Sequence, residues 1–169
     1  MITKNDLAQW LKSKKPVAKK RGCTVFVTPK YFVNNRRLLV HPSFTSRITQ
    51  AYQKELAPGD VAGINGFYVD KVMSHESIIA QCEIGGIGNL CKHTVVPSQI
   101  AAMINLQCKG AHGRLTTDGV NSFYVIGKDG EIFVVYVSWL PKKKGKWGVF
   151  VAEFIQEAVL FAGDRVFLA

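Results

Sequence analysis

The chain has 169 residues, a mass of 18.7 kDa, 47% hydrophobic residues and a formal net charge of +10 at neutral pH. That length and apolar content suit one globular domain burying roughly 70% of its unfolded surface, and they exclude a wholly disordered chain. No apolar run approaches the roughly 20 residues of a membrane helix, and the amino terminus lacks the apolar core of a secretory signal, so a cytoplasmic protein with no membrane partner is expected.

The charge is unevenly placed. Ten of the first 37 residues are Lys or Arg and only Asp6 is acidic, so this segment carries +9 of the +10. Thr3 followed by Asp6 resembles an N-cap with an acidic N3 residue, and Leu7, Trp10 and Leu11 recur at helical spacing, predicting a short first helix. Lys12, Lys14, Lys15, Lys19, Lys20 and Arg21 then form a basic connector broken by Pro16. Residues 1–22 are accordingly expected to be a short helix and linker, and residues 23–169 a single domain.

A strand is predicted over 23–27 and a hairpin over 31–40 with its turn at Asn34-Asn35, carrying Arg36 and Arg37. Ser43 or Thr45 is expected to cap a helix reaching about Ala57, with Ile48, Tyr52 and Leu56 on its apolar face and Pro58-Gly59 ending it. Short β segments are expected over 61–64, 67–73, 77–84 and 94–96, and Pro97 at the first turn of a second helix ending near Gln107.

The last third predicts a three-strand antiparallel meander over 123–126, 132–140 and 147–154, followed by a strand over 165–168. The middle strand is apolar on both faces, with Phe133, Val135, Val137 and Trp139 on one and Ile132, Val134, Tyr136 and Leu140 on the other. A strand of this kind is central and covered on both sides. The expected fold is therefore α+β: an antiparallel meander or partly closed barrel with two to three short helices and a basic N-terminal arm.

The turn Lys142-Lys143-Lys144-Gly145-Lys146 lies between Trp139 and Trp147. Lysines neutralise phosphates and aromatic faces stack on unpaired bases, so this pairing points to nucleic acid. Together with the basic arm and Arg36 and Arg37 it predicts a non-enzymatic nucleic-acid-binding accessory protein, with single strands or RNA favoured over duplex because no recognition helix is evident. An acidic protein partner, bound by an adaptor or inhibitor, is the alternative for the same charge.

His41-Pro42-Ser43-Phe44 and His75-Glu76-Ser77-Ile78 both read H-x-S-apolar. The two elements resemble the paired signatures of the 2H phosphoesterase superfamily. That resemblance implies a metal-independent phosphoesterase in which His41 and His75 act as general acid and base and Ser43 and Ser77 bind phosphate. Cys82, Cys91, His93, Cys108 and His112 form a candidate zinc set of thiolates and imidazoles, although no C-x2-C spacing is present. Buried free cysteines explain the thiols equally well. Gly85-Gly86-Ile87-Gly88-Asn89 lacks both the third dinucleotide-site glycine and a Walker lysine-serine pair, so it reads as a turn and no cofactor is expected.

Overall fold

A computed structural model describes residues 30–52 and 61–169. The basic connector, the predicted strand over 23–27 and the end of the helix predicted to reach Ala57 lie outside these residues.

The described chain begins with a helical turn, α1 (Tyr31–Asn34), then β1 (Leu38–Val40), α2 (Pro42–Arg47) and a 3-10 turn (Thr49–Tyr52). After β2 (Asn65–Tyr68) and β3 (Met73–Ser74) come α3 (His75–Gln81), a second 3-10 segment (Ile87–His93) and α4 (Pro97–Leu106). The C-terminal half is β4 (Val120–Ile126), β5 (Ile132–Leu140), β6 (Lys146–Glu153), β7 (Val159–Leu160) and β8 (Arg165–Leu168). Six strands form one sheet in the order β1-β6-β5-β4-β8-β2, and β3 pairs with β7 in a small second sheet. Pairings are antiparallel except β1 on β6 and β4 on β8. The large sheet stays open, with β1 and β2 at its edges, so the α+β class holds and no barrel closes.

The two-sided apolar pattern of β5 has the expected consequence. Phe133, Val135 and Val137 join Phe44, Ile100, Met103, Phe123 and Trp147 in one core, while Val134 joins Tyr124, Ile79, Leu90 and Val166 in another on the opposite face. Residues of α1, α2 and α4 enter the first core, and those of α3 and the Ile87–His93 segment enter the second. Side-chain alternation along the strands thus produces a helix–sheet–helix layering.

Several local expectations are corrected. No hairpin forms over 31–40. Tyr31–Asn34 is a helical turn because tertiary contacts outweigh its β propensity. Phe32 is buried with its ring 4.7 Å from that of Phe44, and the Tyr31 hydroxyl donates to Asn105 Oδ1 at 3.0 Å. Leu38–Val40 pairs with β6 instead, more than a hundred residues away in sequence.

The cap of α2 is His41, not Ser43 or Thr45. Its backbone is extended, Pro42 opens the helix, and Nδ1 accepts from the Ser43 N–H at 3.3 Å. The helix ends at Arg47, and a 3-10 turn follows.

The segment expected as a strand over 77–84 is α3. Ser74 caps it by accepting from the Ser77 N–H, and His75, Ile78 and Ile79 bury one helical face. The 67–73 strand splits between two sheets. Val69 exchanges backbone hydrogen bonds with Gly163 and Asp164 at that break. Residues 61–64 turn rather than extend, with the Arg114 guanidinium donating to the carbonyls of Val61 and Ile64. Residues 94–96 are not a strand either, although the Val95 N–H donates to the Tyr124 carbonyl at 2.8 Å.

Candidate nucleic-acid interface

The lysine turn is held from beneath. Pro141–Lys143 makes a 3-10 turn, and Lys144 and Gly145 follow in the left-handed region at φ 61° and 62°. Lys142, Lys143 and Lys144 are exposed and Lys146 is half-buried. Trp147 at the base is fully buried and its indole N–H donates to the Gln107 carbonyl at 2.8 Å. Trp139 packs against the same core, edge-on to Trp147 with centroids 5.2 Å apart. The loop at Gly110 closes over its ring, and Gly145 passes beside it.

The pairing of lysines with tryptophans predicts that both indoles meet bases. Trp147 has no exposed surface to offer, whereas Trp139 is partly exposed, with Gly110, Gly145 and Trp147 against its ring. Trp147 therefore supports the turn from within the core.

Gln107 makes the neighbouring loop rigid. Its buried side chain donates to the Ala111 and Leu115 carbonyls and accepts from the Leu115 N–H, while its own carbonyl receives Trp147. A lone Gln at the end of a helix carries no sequence signal for this role.

The register of β1 on β6 places a second basic group beside the turn. Leu38 stands opposite Trp147 and Leu39 opposite Gly148. Arg36 and Arg37 form the turn that leads into β1, at the sheet end where Lys146 begins β6. Arg36 and Arg37 are exposed, and the Arg37 N–H is held by Asn35 Oδ1 at 3.0 Å. Among the described residues, none of Arg36, Arg37, Lys142, Lys143, Lys144 and Lys146 has an ion-pair partner. At the other end of β6 the charge is balanced instead, with Arg47 paired to Glu153 at 3.0 Å. Lys12, Lys14, Lys15, Lys19, Lys20 and Arg21 lie outside the described residues.

The adjoining sheet face is only partly covered by the described residues. Leu39 of the β1 edge, Lys146, Gly148 and Phe150 of β6, and Tyr136, Ser138 and Leu140 of β5 share one side by strand alternation and register. α3 and the Ile87–His93 segment cover this side over β4 and β8, leaving Leu39 45% and Phe150 38% exposed. The Lys-x-Gly-x-Phe alternation of β6 is the one sequence signal for it, and it is weak because a single charged residue heads the row.

The two H-x-S elements do not converge. His41 is exposed at the start of α2, on the side of the first core, with Nδ1 2.6 Å from Ser43 Oγ. His75 is fully buried in the layer on the opposite face, with Nδ1 2.7 Å from the Tyr124 hydroxyl and Nε2 3.4 Å from that of Tyr136. Ser77 Oγ pairs with Ser74 Oγ at 2.9 Å. The repeated pattern reflects two helix starts, and the sheet separates the two imidazoles. An acid–base pair across one phosphodiester is therefore not assembled.

The zinc set is likewise dispersed. Among the described residues, no three His, Cys, Asp or Glu side chains gather around a common point. Cys82 ends α3, and burial pushes its thiol up to about 12. Cys91 is exposed, and His93 Nδ1 lies 3.1 Å from the Ala169 carbonyl. Cys108 and His112 belong to the loop that follows α4, whose buried residues pack into the other core.

No family model, curated protein or solved structure matches the chain.

Proposed function

We propose that this protein binds nucleic acid through the basic end of its large sheet, with Arg36 and Arg37 on one side and Lys142, Lys143, Lys144 and Lys146 on the other. The observation that carries this reading is the parallel register of β1 on β6, which sets two sequence-distant basic groups at the same strand end. Six cations without ion-pair partners among the described residues, on a base stiffened by Trp139, Trp147 and Gln107, suit a phosphate backbone. The residues 12–21 supply further cations immediately upstream in sequence.

The binding term expected here is electrostatic and independent of base sequence. Replacing Lys142, Lys143 and Lys144 together by Ala should weaken binding to all oligonucleotides alike. The slope of log K against log salt should fall by about 0.7–0.9 for each phosphate left without its cation. Fluorescence anisotropy from about 50 to 200 mM salt reads both quantities. A triple variant with the wild-type affinity and slope would reject the role of the turn.

A further inference from the structure

The partly covered face beside the basic end has a composition of its own. Across β1, β6 and β5 it runs in rows: Lys146 beside Leu140, then Leu39 beside Gly148 and Ser138, then Phe150 beside Tyr136. The first row is cationic at the sheet end, and the third is a directly paired set of aromatics.

Gly148 gives the middle row its shape. A Cβ at this position would lie 2.7 Å from Phe150 Cε2 and 2.8 Å from Leu140 Cδ1. The Phe150 ring therefore leans back along the strand over the bare glycine backbone, with Leu140 meeting it from β5. Gly148 is buried under these side chains, while Phe150 itself stays open to solvent. The result is a shallow apolar shelf, one aromatic ring wide, in the rows of β6 next to Lys146.

We infer that this shelf is a stacking platform for an unpaired base, with Phe150 as the binding residue and Lys146 and the lysine turn meeting the adjacent phosphates. The inference rests on the nucleic-acid reading above and narrows its ligand to single-stranded DNA or RNA. Charge and shape together favour that occupant. An aromatic face on an open sheet accepts any base once it is unstacked, and cations within reach of it neutralise the backbone. In a duplex the bases are already paired and stacked, so the shelf would gain nothing there.

The test compares wild type with Phe150→Ala, Phe150→Trp and the triple lysine variant, binding labelled single-stranded and duplex oligonucleotides of equal length. Circular dichroism and thermal melting check that each variant folds. Phe150→Ala should weaken single-strand binding by about 5- to 100-fold, leave duplex binding within about twofold of wild type, and Phe150→Trp should restore the single-strand affinity. A folded Phe150→Ala protein that binds single strands like wild type, while the lysine variant is weakened, overturns the platform and leaves the basic end standing. Equal losses on both ligands, or no rescue by Trp, overturn it as well. A lysine variant indistinguishable from wild type removes both readings together. Sedimentation of the same samples tests the other occupant of such a face: a dimer that dissociates in Phe150→Ala assigns the shelf to a second copy of the chain and overturns the proposal.

Discussion

The imidazole of His75 is fully buried with a tyrosyl oxygen at each ring nitrogen, Tyr124 at 2.7 Å from Nδ1 and Tyr136 at 3.4 Å from Nε2. A neutral imidazole has one N–H and one lone pair, so one nitrogen donates to a tyrosyl oxygen while the other accepts a hydroxyl proton. Protonation makes both nitrogens donors, so the hydroxyl that had donated to the ring must turn its proton elsewhere in a buried site. Burial adds to this by disfavouring the charged ring, and it holds the folded-state pKa of His75 below its ordinary 6.5. Burial also raises both tyrosine pKa values, so each hydroxyl keeps its proton around neutral pH.

The sign of the resulting pH dependence follows. Between the lowered folded-state pKa and 6.5 the unfolded chain binds the proton and the folded chain does not. The contribution of His75 to stability is complete above about pH 6.5 and is lost as the pH falls through the folded-state value. Urea unfolding at pH 8, 7, 6 and 5 should show this loss, and His75→Gln should be less stable at pH 8 but flatter below 6.5. A variant whose stability tracks wild type across the acid limb would show that the ring does not carry the effect.

Gly110 gives a second prediction, through Trp139. Its φ of +66° is in the left-handed region, and a Cβ there would fall 2.4 Å from Trp139 Cε2. Gly130 has a similar φ of +80° but open space around it. Gly130→Ala should therefore incur only the backbone cost, about 1 kcal/mol. Gly110→Ala adds a clash with a packed indole and should lose about 2–4 kcal/mol. The difference is read from urea midpoints at constant slope. Equal losses in the two variants would mean that the loop moves freely off Trp139.

The same residues separate what is legible in the sequence from what is not. β5 is legible because alternation on both of its faces leaves a single interpretation, and Pro97 marks the start of α4. α3 reads as a strand because Ile78 and Ile79 favour strands, although His75, Ile78, Ile79 and Cys82 repeat at helical spacing. The basic end is half legible. Charge clustering identifies the lysine turn and the arginines separately, but the register between β1 and β6 is set by packing of Leu38 and Trp147 into one core, a non-local pairing with no local signal. Phe150 gives only the weak signal of its Lys-x-Gly-x-Phe alternation for a related reason: its exposure depends on which part of the sheet face α3 leaves bare.

That register supplies the last prediction. If Arg36 and Arg37 share a phosphate track with the lysine turn, replacing both by Ala should weaken nucleic-acid binding and lower the salt slope, as the lysine changes do. Cations on successive phosphates act independently of one another, so combining the arginine and lysine changes should add their free-energy losses to within about 0.5 kcal/mol. The slope decrements should add in the same way. The arginines are exposed in the turn before β1, so the double variant should melt with wild type. A folded arginine variant with undiminished affinity and slope would separate the two groups. Binding would then belong to the turn alone, and the parallel pairing of β1 would be a feature of the fold without a part in the interface.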